Sequence, residues 1–515
     1  MLSTKINQLS KTVLLRKLLI GNVSAQSKNL HGIVAGCYQA PGEDGEIVLT
    51  GTTESLNTET GGKLLQALNT SNFDGKPGSV RTFTNLSDKY PLLTVCGLGE
   101  ENLDIDENEC LDERKENVRI GAGAGAKELK KYKVDVMSLD DCGDAQSAAE
   151  GVGLSTHSFQ EFKSKKENET SCTFNVLSSA QTSEFEQGLA MAEGQNWARD
   201  LMETPSNFKY PELFADKVVQ RFSAFKNVDV IVRDDVWARE KGMDCFLSVG
   251  KGSDKKPMFV ELHYNQNADE QKKVVLVGKG ITFDTGGISI KPSSGMGLMR
   301  GDMGGAACVL ATLHIIAKLK LPVNLSVLVP MAENMPSDRA AKPGDVFTAL
   351  NGKTVEVDNT DAEGRMILAD ALCYADEFQP STIIDVATLT GAIDVALGGA
   401  AAGAYTTCNN LWQNMEQASY TTGDRFWRMP LYKHYTKQMK CSLTADLRNT
   451  QKKARSAGSA TAAAFLKEFV TIKSWAHLDM SNVKANSSGE LSYLGPGFSG
   501  RPTRTLVETV RNIFT

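Results

Sequence analysis

Two carboxylates and one guanidinium fall within residues 359–365 (NTDAEGR). Asp361 and Glu363 are two positions apart, so in an extended segment their side chains leave the same face. Carboxylates held together repel each other unless a proton or a cation lies between them, and divalent cations prefer such hard oxygen ligands. The pattern therefore indicates a metal site. The alternative is an acidic helix start, in which Thr360 caps the helix and both acids favour its N-terminus.

A second group of charged residues lies upstream, between residues 277 and 305. Lys279, Asp284 and Lys291 are set among glycines, which allow the backbone to approach a ligand closely. The phosphate-loop pattern G-x-x-x-x-G-K-[ST] is absent, and Asp284 would repel a phosphate. Asp302 comes just before an apolar helical run, where it is either a ligand or a helix N-cap.

Together the two groups contribute four carboxylates: Asp284, Asp302, Asp361 and Glu363. Two divalent metal ions would balance their charge, and a pair of ions can activate water and polarise a carbonyl. Lys279 could be a ligand only after losing its proton, which a nearby dication favours; otherwise it forms an ion pair. Lys291 and Arg365 remain charged and are suited to stabilising an oxyanion or holding an anionic partner.

The elements that must position these groups alternate between strand and helix. Strands are predicted at 274–277, 325–329, 353–357 and 383–387, and helices at 304–319 and 366–378. This alternation predicts an α/β domain with a mainly parallel sheet covered by helices. Active sites of such sheets lie beyond the carboxyl ends of the strands, and both charged groups follow predicted strands.

The 515 residues are too many for one ordinary domain. Residues 31–183 predict a smaller N-terminal α/β domain, with strands at 32–35, 47–49 and 92–95 and helices at 61–68 and 116–132. A helix at 184–204, stopped by Pro205, is predicted to connect it to a catalytic domain at 205–515. Residues 31–150 hold 22 acids and 11 bases, a net charge of −11, so no nucleic-acid partner is expected.

The cysteines and the apolar runs exclude several other classes of protein. The ten cysteines are scattered without a C-x-x-C pair, which argues against a disulfide scaffold or a thiolate zinc site and favours a reducing compartment. No H-E-x-x-H motif occurs, so carboxylates must supply most of the metal ligands. No run approaches the roughly 18 apolar residues of a membrane span, so no membrane partner is expected.

Residues 1–30 differ in composition from the rest of the chain. They are rich in Lys, Arg, Ser and Thr and contain no acid, and their apolar residues Ile6, Leu9, Val13 and Leu14 share one helical face. This composition is typical of a mitochondrial transit peptide. The alternative is a disordered basic tail on a cytoplasmic protein.

The two charged groups, and their order along the chain, resemble the motifs of the leucine aminopeptidase family (cytosol aminopeptidase, peptidase family M17). Residues 359–366 (NTDAEGRM) match the most specific signature of that family. The resemblance extends from the acidic first domain to residues 501–505 (RPTRT). It implies a metal-dependent enzyme that removes amino acids from the free N-terminus of peptides. It also implies a homohexamer that uses zinc, manganese or magnesium.

The resemblance further implies a role for each motif residue. One metal would be held by Asp284, Asp361 and Glu363, and the other by Lys279, Asp284, Asp302 and Glu363. Lys291 would polarise the scissile carbonyl, and Arg365 would hold a bicarbonate that acts as the general base. The substrate would contact Lys291, Asp302, Met299, Thr388 and Gly391, with its free amine near Asp302 and its first side chain near Met299.

One segment departs from the family pattern. After residues 475–479 (WAHLD) the family usually continues with Ile-Ala-Gly, whereas this chain has Met480, Ser481 and Asn482, and Lys484 stands where an apolar residue is common. The region helps to line the pocket for the first substrate side chain. A lysine there would narrow the pocket or favour acidic residues, unless it points to solvent, so the preferred N-terminal residue stays open.

The resemblance also leaves a second function open. Some proteins similar to this family are abundant packing proteins of sperm mitochondria, often with damaged metal sites. The ligand set of this chain is complete, which favours the enzyme. The altered pocket and the basic leader remain compatible with a structural mitochondrial paralogue that has little peptidase activity.

Overall fold

The computed structural model describes residues 30–515 except for 40–45, 87–88, 166–171, 270, 453–455 and 488. The predicted transit peptide therefore lies outside the described residues, apart from Leu30. The described elements form two large sheets with helices packed against them, in agreement with the predicted two-part α/β fold.

The first sheet is built by the N-terminal part of the chain. The strands of this part are β1 (His31–Tyr38), β2 (Val48–Leu49), β3 (Val80–Thr84), β4 (Leu92–Gly97), β5 (Ile105–Asp106), β6 (Leu111–Asp112), β7 (Val136–Leu139) and β8 (Thr173–Val176). Of these, β5 and β6 pair only with each other and form a separate two-stranded sheet. The order is β3–β4–β1–β7–β8, with β2 paired to β1, and β1 runs parallel to β4 and β7. The helices are α1 (Gly51–Glu59), α2 (Lys63–Thr70), α3 (Glu113–Lys130) and α4 (Ala145–Ser155). Each predicted strand and helix of this region is confirmed, with shifted bounds.

The second sheet carries the two charged groups. Its strands are β9 (Asp229–Arg233), β10 (Met258–Asn265), β11 (Val274–Gly278), β12 (Gly280–Asp284), β13 (Asn324–Asn334), β16 (Thr382–Ala387), β17 (Ala401–Thr406), β18 (Arg425–Arg428) and β20 (Trp475–Asp479). A small separate sheet contains β14 (Val346–Thr348), β15 (Thr354–Glu356) and β19 (Leu447–Arg448). The centre, β20–β16–β11–β13, is parallel as predicted, whereas β10 and β9 on one side and β17 on the other join antiparallel.

Helices cover both faces of the second sheet. They are α5 (Thr182–Glu203), α6 (Pro211–Phe222), α7 (Asp235–Lys241), α8 (Asp244–Gly250), α9 (Gly304–Leu319), α10 (Gly364–Ala375), α11 (Gly391–Leu397), α12 (Asn409–Thr422), α13 (Lys433–Met439), α14 (Gly458–Leu466) and α15 (Thr503–Phe514). Along β11, Val274 and Leu276 pack into the layer containing α5, α6, α9, α12 and α15, and Val275 and Val277 pack into the layer containing α7, α8, α10 and α14. Strand side chains alternate between faces, so a strand covered on both sides must be apolar throughout.

Helix α9 lies in the interior of the second sheet's helical layer. The helical stretch Met296–Leu319, which includes α9, has 24 residues and is apolar enough to cross a membrane by length and composition. However, 89% of its most apolar window is buried inside the fold, as expected for a core helix.

Helix α5 contacts both parts of the chain. On one side, Asn196 donates from its side-chain nitrogen to the carbonyl oxygen of Gly153 in α4 at 2.9 Å. On the other, Gln195 donates to the carbonyl oxygen of Ser499 at 2.8 Å. The helix ends at Glu203, before the predicted stop at Pro205. These contacts place it between the two sheets.

Candidate metal centre and active site

The charged groups line one open cavity beyond the carboxyl ends of the central parallel strands. The cavity has a volume of about 580 Å³, and all the predicted site residues except Arg365 line it. Residues from distant parts of the sequence meet there because parallel strands end at the same edge of a sheet. The structure thus brings together the groups that the sequence predicted to act together.

The backbone of Lys279 joins three elements. Its N–H donates to the carbonyl oxygen of Val386 in β16 at 3.0 Å, and its own carbonyl accepts from Ala306 in α9 at 3.0 Å. The residue lies between β11 and β12, so its side chain leaves the sheet edge at a fixed point. Gly364, at the start of α10, leaves the space for that side chain.

Two lysine ammonium groups each lie between two carboxylates. Lys279 Nζ is 2.8 Å from Asp302 Oδ2 and 2.8 Å from Glu363 Oε1. Lys291 Nζ is 2.8 Å from Asp284 Oδ2 and also pairs with Asp361. Negative charge from four acids is therefore gathered around two positive charges, and net negative charge remains in the cavity.

Three of the acids present oxygens close enough to share a cation. Asp284, Asp361 and Glu363 each have a carboxylate oxygen within 4.8 Å of the others. The Oε2 atom of Glu363 is buried and has no hydrogen-bond partner among the described residues. Leaving such an oxygen unpaired costs free energy that a cation would recover. The donor set is hard oxygen, which fits a divalent metal ion.

The pKa values of the site reflect this crowding of charge. Burial, followed by the charge of Asp284, raises the pKa of Glu363 to about 8. Burial also raises the pKa of Asp302 and of Asp361. Burial alone would lower the pKa of Lys279, but the carboxylates around it raise that pKa above its ordinary value. The acids are thus destabilised as anions despite their lysine partners, as expected of groups that bind a cation.

Neither acidic motif serves as a simple helix start, so the alternative of a capped helix is wrong. Thr360 Oγ1 donates to the carbonyl oxygen of Gly286 at 2.6 Å, and α10 begins at Gly364 with no side-chain cap. Asp302 is not an N-cap either, since its Oδ1 accepts from Thr388 Oγ1 at 2.7 Å.

The segment around Asp361 is a turn, not an extended strand. The Asn359 side chain accepts from the Asp361 N–H at 2.9 Å, and the Asn359 carbonyl accepts from the Ala362 N–H at 3.1 Å. The two acids of this segment therefore meet through a turn, and the expectation of an extended segment is wrong. Polar Asn and Thr side chains that bond to nearby backbone explain the turn.

Arg365 lies behind the cavity in the first turn of α10. Its side chain is buried and donates from a terminal nitrogen to the carbonyl oxygen of Asn449. Its Nε has no partner among the described residues. Burial lowers the pKa of Arg365 to about 10, so the guanidinium still carries its charge at neutral pH.

Two asparagines support the site and were not predicted from the sequence. Asn334, at the end of β13, donates to Asp284 Oδ1 at 2.8 Å and to the carbonyl oxygen of Thr360 at 3.1 Å. Asn449, after β19, accepts from the backbone of Asp358 at 2.8 Å and donates to the carbonyl oxygen of Asn359 at 2.7 Å. The place of Asn334 just beyond a predicted strand was a usable signal, whereas nothing local pointed to Asn449.

The departing segment after β20 also faces the cavity. Ser481, Asn482 and Lys484 all line it, together with Met299 and Gly391. Lys484 is half-buried, so it does not point freely into solvent as one alternative required. The cavity thus combines an acidic cation-binding end with a wall that carries an extra positive charge.

Two family models match the chain. Residues 196–507 match the catalytic domain of the cytosol aminopeptidase family, and residues 36–166 match the N-terminal domain of the same family. Together the two matches span most of the sequence.

Curated relatives and solved structures show the same similarity. The chain is 48% identical to a cytosol aminopeptidase of Xenopus tropicalis over 490 residues (94% of each chain) and 46% identical to one of Homo sapiens over 503 residues (96% of each chain). A structure of the bottromycin maturation enzyme BotP in complex with Mn superposes with a TM-score of 0.79 at 30% identity, covering 94% of this chain and 99% of that chain.

Proposed function

The chain belongs to the cytosol aminopeptidase family of metal-dependent peptidases, and on that premise we propose how its cavity releases N-terminal amino acids from peptides. The observation that carries the proposal is the convergence of oxygens from Asp284, Asp361 and Glu363 within 4.8 Å in an open cavity. Divalent cations bound there would supply Lewis-acid chemistry, activating water and polarising the scissile carbonyl.

We assign two cation positions to this donor set. Asp284, Asp361 and Glu363 would hold one cation. Asp284, Asp302 and Glu363 would hold the other together with Lys279, whose ammonium would first lose its proton as the dication enters. The unpartnered Glu363 oxygen and the excess of carboxylates over lysines support both positions. Zinc, manganese and magnesium all suit oxygen ligands, and the manganese complex of the similar enzyme BotP supports this range.

The remaining charged groups would bind and orient the substrate. The ammonium of Lys291 would donate to the carbonyl oxygen of the scissile bond as negative charge develops on it. Asp302 would receive the free amine of the peptide, and Thr388 supports it by donating to its Oδ1. Met299 and Gly391 would contact the first side chain, since both line the same cavity. A requirement for the free amine would restrict the enzyme to N-terminal residues.

Arg365 would hold a bicarbonate ion that accepts a proton from the attacking water. Support comes from its buried, unpartnered Nε and its charge at neutral pH. A buried guanidinium that lacks a carboxylate partner within the described residues is suited to an oxyanion. Rates in bicarbonate-free buffer should rise on adding bicarbonate in the wild type and should not rise in Arg365→Ala.

The test of the main proposal is Asp361→Asn. The substitution keeps the shape of the side chain and removes one ligand charge, so peptide hydrolysis should fall at least about 100-fold. Calorimetric titration of the chelator-treated protein with Mn²⁺ should show weakened or missing binding. Substrates should include a leucyl and a glutamyl peptide, so that side-chain preference does not mask the effect.

The matched control is Asp254→Asn, which removes a carboxylate from the exposed surface of the same part of the chain. It should leave both hydrolysis and Mn²⁺ binding unchanged. Full activity in Asp361→Asn would show that the assigned centre is not the catalytic one.

Two further properties belong to the same proposal. We propose a homohexamer, supported by the family resemblance and by exposed apolar side chains such as Ile290, Val395 and Leu443. Light scattering should then give about six times the chain mass of 55.7 kDa.

We also propose mitochondrial import through residues 1–30, supported by their composition alone. A fluorescent protein fused to that segment should enter mitochondria, and a cytoplasmic signal would contradict import. The curated relatives give no support to the alternative of an inactive structural paralogue.

A further inference from the structure

Lys484 is held in the cavity wall by its backbone. Its carbonyl oxygen accepts from the N–H of Ser499 at 2.9 Å. Two residues before it, the side chain of Asn482 donates to the carbonyl oxygens of Gly398 and Ala401 at 2.5 and 2.6 Å. These bonds anchor the segment on both sides, so the position from which the lysine enters the cavity is fixed.

Lys484 differs from the other two lysines of the cavity in the surroundings of its ammonium. Lys279 and Lys291 each pair with two carboxylates, whereas within the described residues the side chain of Lys484 forms neither an ion pair nor a hydrogen bond. Burial lowers the pKa of Lys484, and the charges of Lys279 and Lys291 act in the same direction. Asp302 and, more weakly, Asp394 act in the opposite direction without contacting it. A half-buried ammonium in this position gains free energy if a ligand brings a carboxylate to it.

The position of Lys484 relative to Asp302 decides which part of a substrate it meets. Of the acids in the cavity, Asp302 exerts the largest attraction on Lys484. If the free amine of the peptide lies at Asp302, as the proposed function requires, the first residue of the substrate occupies the cavity that Lys484, Met299 and Gly391 also line. Met299, Ser481 and Gly391 line the same cavity without charge, and Asp394 also lines it but makes no ion pair with Lys484 within the described residues.

We propose that Lys484 is a specificity-determining residue that selects peptides beginning with glutamate or aspartate, by pairing with the side-chain carboxylate of that residue. The proposal rests on the proposed function, because it takes the first residue of the substrate to lie beside Asp302. It adds the substrate class, which neither the acidic centre nor the relatives specify. The extra positive charge would also disfavour substrates that begin with lysine or arginine.

The experiment compares kcat/KM for glutamyl, aspartyl, leucyl and lysyl amides of one fluorogenic leaving group that carries no carboxylate. The wild type should prefer the glutamyl over the leucyl substrate. In Lys484→Met, which keeps the length of the side chain and removes the charge, the glutamyl-to-leucyl ratio should fall at least about tenfold, as expected for a hydrogen bond between charged groups. Lys484→Glu should invert the order and favour the lysyl substrate.

The controls separate selectivity from folding and from a general charge effect. Lys256→Met removes an exposed lysine that pairs with Asp235 at the surface, and the ratio should stay at the wild-type value. Lys484→Arg keeps the charge and should keep the glutamyl preference, and thermal unfolding of each variant shows whether it is folded.

The outcomes distinguish the two proposals. Failure of the metal-loaded wild type to hydrolyse any of the four amides, and also glycyl and alanyl amides of the same leaving group, would overturn the proposed function. Hydrolysis with an unchanged ratio in Lys484→Met would overturn the role of Lys484 and leave the function standing. A wild type that accepts only glycyl or alanyl substrates, with large neutral residues admitted by Lys484→Ala, would show that the lysine acts by its size and would also overturn the charge-based role.

Discussion

Gly364 is the residue on which the position of Lys279 depends. A β-carbon there would lie 2.6 Å from Lys279 Cε and 2.7 Å from its Nζ, distances that side chains do not tolerate. The lysine is buried between Asp302 and Glu363 and has little room to withdraw. The glycine of the signature segment is therefore required by contact with a lysine that lies far away in the sequence, and not by its backbone conformation.

Gly364→Ala should displace Lys279 and weaken cation binding by about 10- to 100-fold, the range expected when groups that orient metal ligands are disturbed. Mn²⁺ affinity measured by calorimetry is the direct readout, and hydrolysis should fall with it. Gly51→Ala is the control, because nothing lies within 4 Å of a β-carbon at that position. Equal Mn²⁺ affinity in Gly364→Ala and the wild type would contradict the steric role of the glycine.

At the scale of elements, the loop that carries Asp361 is held by the end of a strand from another part of the chain. The side chain of Asn449, after β19, bonds to the backbone at Asp358 and Asn359, and its own carbonyl accepts from Arg365. The side chain is fully buried, so water cannot replace these bonds. One asparagine therefore fixes both the ligand loop and the first turn of α10.

Asn449→Ala should lower the free energy of unfolding by about 1–3 kcal/mol, because buried backbone groups lose their partners. It should also lower cation affinity, since the ligand loop loses its support. Urea unfolding and calorimetry measure the two effects. Asn512→Ala removes a single hydrogen bond of a half-buried side chain on α15 and should have a smaller effect on stability and none on affinity. Loss of stability without loss of cation affinity would show that the cation site does not depend on the support that Asn449 gives to the ligand loop.

At the scale of the whole molecule, a buried carboxylate joins the N-terminal sheet to the C-terminal helix. Glu150 in α4 accepts from Arg119 in α3 at 2.7 Å and from Arg504 in α15 at 2.5 Å. Arg119 and Arg504 also donate to the carbonyl oxygens of Thr421 and Thr422, at the end of α12, at 2.6 and 3.0 Å. These contacts hold the two sheets together through charge and not through apolar packing alone.

Burial alone would raise the pKa of Glu150, but Arg119 and Arg504 lower it below the ordinary value of 4.5. A lowered pKa in the folded state means that the ion pairs stabilise fully above pH 4.5, and that this contribution is lost as pH falls toward the folded-state pKa. Glu150→Gln should therefore lower the free energy of unfolding by about 3–5 kcal/mol at pH 7.

The difference between Glu150→Gln and the wild type should narrow below pH 4.5, which urea unfolding at several pH values would show. Glu128→Gln, which breaks an exposed pair with Lys131 on the same helix as Arg119, should change stability little at any pH. A difference at Glu150 that stays constant as pH falls would mean that its ionised form does not supply the stability.

Much of the fold and of the centre could be predicted from the sequence, for local reasons. Fully apolar runs such as 274–277 can only be strands buried on both faces, and acids next to such runs must meet at one sheet edge. The antiparallel outer strands were not predicted, because pairing direction depends on how distant segments are connected. Asn449 was missed for a similar reason, since its bonds to Asp358 and Asn359 span 91 and 90 positions. The cavity-facing position of Lys484 depends on Ser499 and Asn482, and only the folded chain shows that contact.

The ion pair between Glu150 and Arg504 also constrains when the chain can complete its fold during synthesis. The two residues are 354 positions apart, so at ordinary rates of synthesis a ribosome needs roughly 20 to 70 s to travel from one codon to the other. During that interval Glu150 in the nascent first domain can pair with Arg119, but the surface against which α15 packs stays uncovered. The helix that carries Arg504 therefore cannot close on Glu150 until translation has passed Arg504.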